Sequence, residues 1–130
     1  MKRPTPTKGL RHVALYVEKF AECENFYVDL LGMQVEWRPD EDNVYLTSGN
    51  DNLALHRAKE KPSGAQTLDH IGYILQKPEH VDEWFEFFTT HNIVMRSQSK
   101  THRDGARSFY CEDPDGNIVQ MIYHPPIADK

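Results

Sequence analysis

A chain of 130 residues, 38% apolar and 27% charged, is long enough for one globular domain with a real core. Its net charge of −5 argues against nucleic acid or an anionic membrane surface as a partner, and no apolar run approaches the roughly 20 residues of a membrane span. Residues 1–7 lack the apolar stretch of an export signal, and Cys23 and Cys111 are expected as buried free thiols, so the expected location is the cytoplasm.

Residues 10–17 alternate, with His12, Ala14 and Tyr16 on one face and Val13, Leu15 and Val17 on the other, which predicts a strand. Over 19–31, Phe20, Cys23, Phe26, Tyr27, Leu30 and Leu31 recur at helical spacing, and Gly32 is a natural stop. Strands are then expected over 33–38, 44–47 and 53–57, with turns over 39–43 and 48–51. Residues 58–67, with Pro62, Ser63 and Gly64, read as a linker. A strand follows over 68–75, and Pro78 sits where the first turn of a helix tolerates it. Val81, Trp84, Phe85 and Phe88 form an i, i+3, i+4, i+7 stripe that packs on a sheet. The last three strands are expected over 93–97, 106–112 and 118–124, the final pair joined by the turn Asp113-Pro114-Asp115-Gly116.

Each half therefore reads strand, helix, then three strands. The predicted organisation is one domain, 1–130, built from units 9–58 and 66–124. His70 follows His12 by 58 positions and opens the first strand of the second unit as His12 opens that of the first. Two such units facing each other would bring the imidazoles into a shared cleft, and paired imidazoles suggest a metal.

Four segments carry a family resemblance: Arg11-His12-Val13-Ala14-Leu15, Phe26-Tyr27-Val28-Asp29-Leu30-Leu31-Gly32-Met33, Asp69-His70-Ile71-Gly72, and Ser108-Phe109-Tyr110-Cys111-Glu112-Asp113-Pro114-Asp115-Gly116-Asn117. In this order they resemble the vicinal oxygen chelate superfamily, which includes glyoxalase I, extradiol ring-cleaving dioxygenases, fosfomycin-modifying enzymes and bleomycin-binding proteins. The resemblance implies an α+β fold of two βαβββ units forming a half-open barrel. It also implies a divalent metal ion, with Fe(II) favoured and Mn, Zn or Ni as alternatives. The implied ligands are His12 and His70 on the first strands and Gln120 on the last, where relatives most often carry Glu. The equivalent place in the first unit is about Ala54, which cannot coordinate; His56, two residues on, faces the same side and is the expected replacement.

Tyr110 matches a tyrosine of the extradiol enzymes that hydrogen-bonds the metal-bound substrate oxygen, and His102 falls near their active-site histidine. The resemblance thus favours a ring-cleaving dioxygenase acting on a small molecule with vicinal oxygens, in which His102 relays protons and Tyr110 steers oxygen. A glyoxalase-type lyase or isomerase is the second reading, weakened by the missing carboxylates at 54 and 120. The third is a metal-free binding protein whose cleft is lined by Tyr16, Tyr73, Phe109 and Tyr110. Relatives commonly pair their units across interfaces, and half-open sheets leave edges, so a homodimer is expected.

Overall fold

The computed structural model describes residues 1–3, 6, 10–60 and 68–130, so most of the expected linker lies outside the described residues. The chain divides into two compact units, Met1–Pro62 and Ser63–Lys130. Each holds one open, four-stranded mixed sheet with a helix on one face, an α+β arrangement as expected.

In the first unit β1 (His12–Val17) leads into α1 (Phe20–Asn25), and then β2 (Gln34–Asp40), β3 (Asn43–Thr47) and β4 (Asn52–Arg57) form a meander. The sheet order is β1-β4-β3-β2, so β1 pairs parallel with β4 and the remaining pairs are antiparallel. The alternation seen in the sequence becomes two different faces. Leu15, Val17, Val44, Leu46, Leu53 and Leu55 are buried together with Phe20, Cys23, Phe26 and Tyr27 of the helical segment. The opposite face carries His12, Ala14, Tyr16, Asn43, Tyr45, Asn52 and His56.

The helix expected over 19–31 is regular only as far as Asn25; residues Phe26–Leu30 form a wider π turn. There Leu31 N–H bonds Phe26 O at 2.9 Å, a span of five residues. Gly32, at φ +92°, then swings Met33 N–H back onto Tyr27 O at 2.9 Å. Strand β2 runs through Pro39 to Asp40, beyond the expected 33–38, because proline is tolerated on an edge strand and Asp40 closes the hairpin itself. Its Oδ1 accepts Asp42 N–H and Asn43 Nδ2, both at 2.8 Å.

The second unit repeats the order with β5 (Ile71–Leu75), α2 (Pro78–Thr90), β6 (Lys100–Thr101), β7 (Arg107–Glu112) and β8 (Ile118–Tyr123), in sheet order β5-β8-β7-β6. The strand expected over 93–97 does not form; that segment contributes one bridge, Met95 to Cys111. The ladder stops because Tyr110 N–H donates to the side-chain Oγ of Ser97 at 3.0 Å instead of to a backbone carbonyl. The edge strand lies further on, at Lys100–Thr101. On α2 the predicted stripe packs as expected: Val81 and Phe88 are fully buried, and Phe85 and Phe88 meet Phe109 edge-on at 5.4 and 6.2 Å.

That packing corrects one part of the aromatic-cleft reading. Phe109 is fully buried on the helix-facing side, and Tyr73, opposite Met121 in the ladder, shares that side. Tyr110 and Gln120 occupy the other face of the sheet.

Candidate functional site

In the second unit the turn after β7 sets the site. Asp113 Oδ1 accepts the N–H groups of Asp115 and Asn117, each at 2.9 Å, and its Oδ2 accepts Asn117 Nδ2 at 2.9 Å. Gly116 takes the left-handed φ of +87° that closes the reversal. With the turn fixed, Glu112 faces Ile118, Cys111 faces Val119, and Tyr110 falls directly opposite Gln120. Gln120 Nε2 donates to the Tyr110 hydroxyl at 3.1 Å. Gln120 is almost wholly buried, and its Oε1 lies above the bare backbone of Gly72, its neighbour on β5. The ring of His70 meets that of Tyr110 edge-on at 5.2 Å. His70, Tyr110 and Gln120 thus form one cluster.

The orientation of His70 is informative. Its Nδ1 lies 2.6 Å from Asp69 Oδ2, an acceptor, so Nδ1 is the donor and Nε2 is the nitrogen left to meet a ligand. His12 is held the same way in the first unit. Its Nδ1 lies 2.7 Å from Oδ1 of Asn52, its parallel ladder partner. The Asn52 amide is turned so that Nδ2 reaches toward Glu36 Oε1 at 3.4 Å, which leaves Oδ1 for the imidazole. Both histidines therefore turn Nε2 outward and back it with a side-chain oxygen at Nδ1, the arrangement a divalent metal selects. Within the second unit, His70 Nε2 and the amide oxygen of Gln120 are donor types that suit such an ion. Among the described residues, no three His, Cys, Asp or Glu side chains group together as a ready-made cage.

His56 stands elsewhere. It is level with Tyr16, while His12 is level with Asn52, four residues or about 13 Å along β4. Its Nδ1 bonds Asn43 Oδ1 at 2.5 Å, and Asn43 Nδ2 donates to Asp40. Asp40 is held below the usual carboxylate range, first by the N–H of Asp42 and then by Asn43. The His56 ring lies among aromatics, 5.8 Å from Tyr16 and 6.0 Å from Tyr45, and Tyr45 stacks on Trp37 at 5.2 Å. His56 belongs to this row of rings and is set apart from His12.

His102 sits one row from the cluster. Its Nε2 lies 3.2 Å from the hydroxyl of Ser108, which shares a sheet face with Tyr110. The residues missed by sequence reasoning are the ones that orient others: Asn52 and Glu36 behind His12, Asp69 behind His70, and Asn43 and Asp40 behind His56. Asp69 directly precedes His70 in the chain and was visible; the others depend on strand register.

The sequence profile of the Glyoxalase/Bleomycin resistance protein/Dioxygenase superfamily matches residues 9–121, and the chain belongs to that superfamily. Among characterised proteins it is similar to the metallothiol transferase FosB of Staphylococcus haemolyticus, 25% identical over 117 residues that cover 88% of this chain and 82% of the relative. The FosB of Staphylococcus epidermidis matches equally, at 25% over 117 residues. Among solved structures it is similar to a lactoylglutathione lyase from Agrobacterium tumefaciens, with a TM-score of 0.76 and 23% identity over 92% of this chain and 96% of that one.

Proposed function

We propose that this chain is a metal-dependent enzyme that binds a small molecule through two vicinal oxygens, with chemistry of the extradiol ring-opening type. The observation that carries the reading is the anchoring of His12 and His70 through Nδ1, which leaves both Nε2 atoms free to ligate. A divalent ion, Fe(II) first and Mn, Zn or Ni as alternatives, supplies Lewis acidity and, as iron, oxygen chemistry. His70 and Gln120 hold it from the second unit, and His12 is proposed as a ligand because its own unit presents it in the same state. Gln120 gives a neutral oxygen, so the protein supplies no charge to offset the ion and leaves that to the substrate's ionised oxygens.

Tyr110 accepts a hydrogen bond from Gln120, so its own O–H remains to donate to a substrate oxygen. His102, one row away, is the proposed proton carrier, since imidazole exchanges protons near neutral pH. His56 is left out of the ligand set and placed in the wall of aromatic rings. The buried thiols of Cys23 and Cys111 support a reducing, cytoplasmic setting, and among the described residues no helix is long and apolar enough to cross a membrane.

The likeness to metallothiol transferases favours a second reading, transfer of a thiol to a metal-bound small molecule. A lyase reaction fits the fold comparably, but Gln120 and Ala54 supply no carboxylate base. Untagged protein reconstituted anaerobically with Fe(II) and given a catechol should consume oxygen on exposure to air and form a yellow ring-opened product. His102→Ala should slow turnover far more than it weakens binding. Retained metal without oxygen uptake across a panel of catechols would reject the ring-opening reaction in favour of thiol transfer. Metal content equal in the parent and in a His12→Ala/His70→Ala double variant would reject the metal site.

A further inference from the structure

Strand β6 and the turn after it form an open depression of about 610 Å³ lined by Lys100, Thr101, His102, Arg103 and Asp104. Its frame is fixed from within. His102 N–H bonds Ala106 O at 2.7 Å, and Gly105, at φ +88°, bonds back to His102 O at 3.1 Å. Asp104, the one acid of the lining, turns its Oδ1 inward to accept Ala106 N–H at 3.0 Å. Asp82 grips Arg107 at 2.6 and 3.1 Å, and Arg107 in turn donates to Thr101 Oγ1 at 2.9 Å. The hydroxyl hydrogen of Thr101 is left to point elsewhere.

Arg38, Arg57, Arg96 and Arg107 are each bound to a carboxylate. Among the described residues, Lys100 and Arg103 have no such partner. In a protein of net charge −5, two unpartnered cations beside one depression make a local positive field where acids otherwise prevail.

The position matters as much as the charge. Lys100 is the ladder partner of Ser108, and cross-strand partners share a face. Ser108 and Tyr110 lie two residues apart on that same face, a separation of about 7 Å. The depression therefore borders the His70–Tyr110–Gln120 cluster at roughly the width of one aromatic ring.

We infer that this depression takes an anionic group of the substrate, a carboxylate carried about one ring's width from the vicinal oxygens. Arg103 offers a planar fork that matches two carboxylate oxygens, and Lys100 a point charge. The claim about the substrate rests on the proposed vicinal-oxygen reading; the anion site itself rests on the side chains of this loop.

The test uses the full chain, labelled with nitrogen-15 and titrated at fixed ionic strength with benzoate, inorganic phosphate, catechol and 3,4-dihydroxybenzoate. Benzoate should shift the amides of residues 100–104, and Arg103→Ala should weaken that binding about tenfold, the order expected for losing a hydrogen bond to a charged group. In metal-loaded protein, 3,4-dihydroxybenzoate should bind more tightly than catechol, and Arg103→Ala should erase the advantage. No shift at 100–104, or equal affinities in parent and variant, would overturn the anion site. Phosphate binding there more tightly than benzoate, with no advantage of 3,4-dihydroxybenzoate over catechol, would make it a free-phosphate site and overturn the substrate inference. Benzoate binding with no response to catechol would support the anion site while overturning the vicinal-oxygen reading.

Discussion

An imidazole offers a metal one lone pair, and the group bonded to its other nitrogen decides where that lone pair sits. Asp69 and Asn52 make that decision for His70 and His12. Replacing either backing group by an apolar one, as Asp69→Leu or Asn52→Leu, should lower affinity for Mn(II) about ten- to a hundredfold by titration calorimetry, with the thermal midpoint little changed. Gln120 is the neutral member of the proposed ligand set, and Gln120→Glu adds the missing negative charge. The same titration should show tighter Mn(II) binding; unchanged binding would mean that position 120 does not face the ion. Cys111 illustrates the opposite case, a titratable group silenced by its surroundings. Burial first, and then the charges of Asp113 and Glu112, push its thiol from 9.0 up to about 12. Its folded value lies above its unfolded one, so the associated stability is complete below about pH 9 and is lost as pH rises toward about 12. At pH 8 the native protein should therefore leave Cys111 unmodified by iodoacetamide, and mass spectrometry should find it alkylated only after unfolding.

At the scale of elements, one turn sets the register on which the site depends. Asp113 satisfies three donors across the β7–β8 reversal and is itself buried. Asp113→Ala leaves two backbone N–H groups and an amide without this acceptor and should cost about 1–3 kcal/mol in urea unfolding. Weaker ligand binding at the Tyr110–Gln120 pair should accompany it, because a strand slipped by one residue turns those side chains to the other face. The turn was legible from Asp113-Pro114-Asp115-Gly116, and so were β1, β4, β7, β8 and α2, whose periodicities are long and clean. The 93–97 segment reads as a strand because Ile93, Val94 and Met95 favour one; a serine hydroxyl that captures a ladder N–H leaves no mark in the hydrophobic pattern. The π turn at Phe26–Leu30 is hidden for a similar reason, since the spacing that buries Phe26 and Tyr27 also fits an ordinary helix. In the candidate site, the chemically obvious residues His12, His70, Tyr110 and Gln120 were readable one by one. What sequence could not supply was pairing: Asn52 stands beside His12 and Tyr16 beside His56 only through the parallel β1–β4 register, which joins residues 40 apart.

At the scale of the molecule, the question is what covers the sheet edges. Each unit ends its sheet in two outer strands, β1 and β2 in the first and β5 and β6 in the second. Strand β2 is a poor template for pairing: its register shifts twice, and it carries Pro39 and the exposed charges Glu36, Arg38 and Asp40. Strand β6 is only two residues long. Strands β1 and β5 are different. They contain no proline, their ladders to β4 and β8 run without interruption, and within its sheet each has a hydrogen-bonded neighbour on one side only. Exposed side chains add an apolar component, with Tyr16 66% exposed on β1 and Ile74 45% exposed on β5. Long, regular edges with apolar surface beside them are sites where a protein pairs with itself, and closed twofold assemblies are the commonest result. The expected species is a homodimer of twice the 15.1 kDa chain mass. Light scattering at micromolar concentration measures it directly, and a clean monomer would reject the prediction. A charge placed on the β1 edge, as Ala14→Lys, should shift the population toward monomer; a dimer that survives this change unaltered would mean that β1 is not where the copies meet.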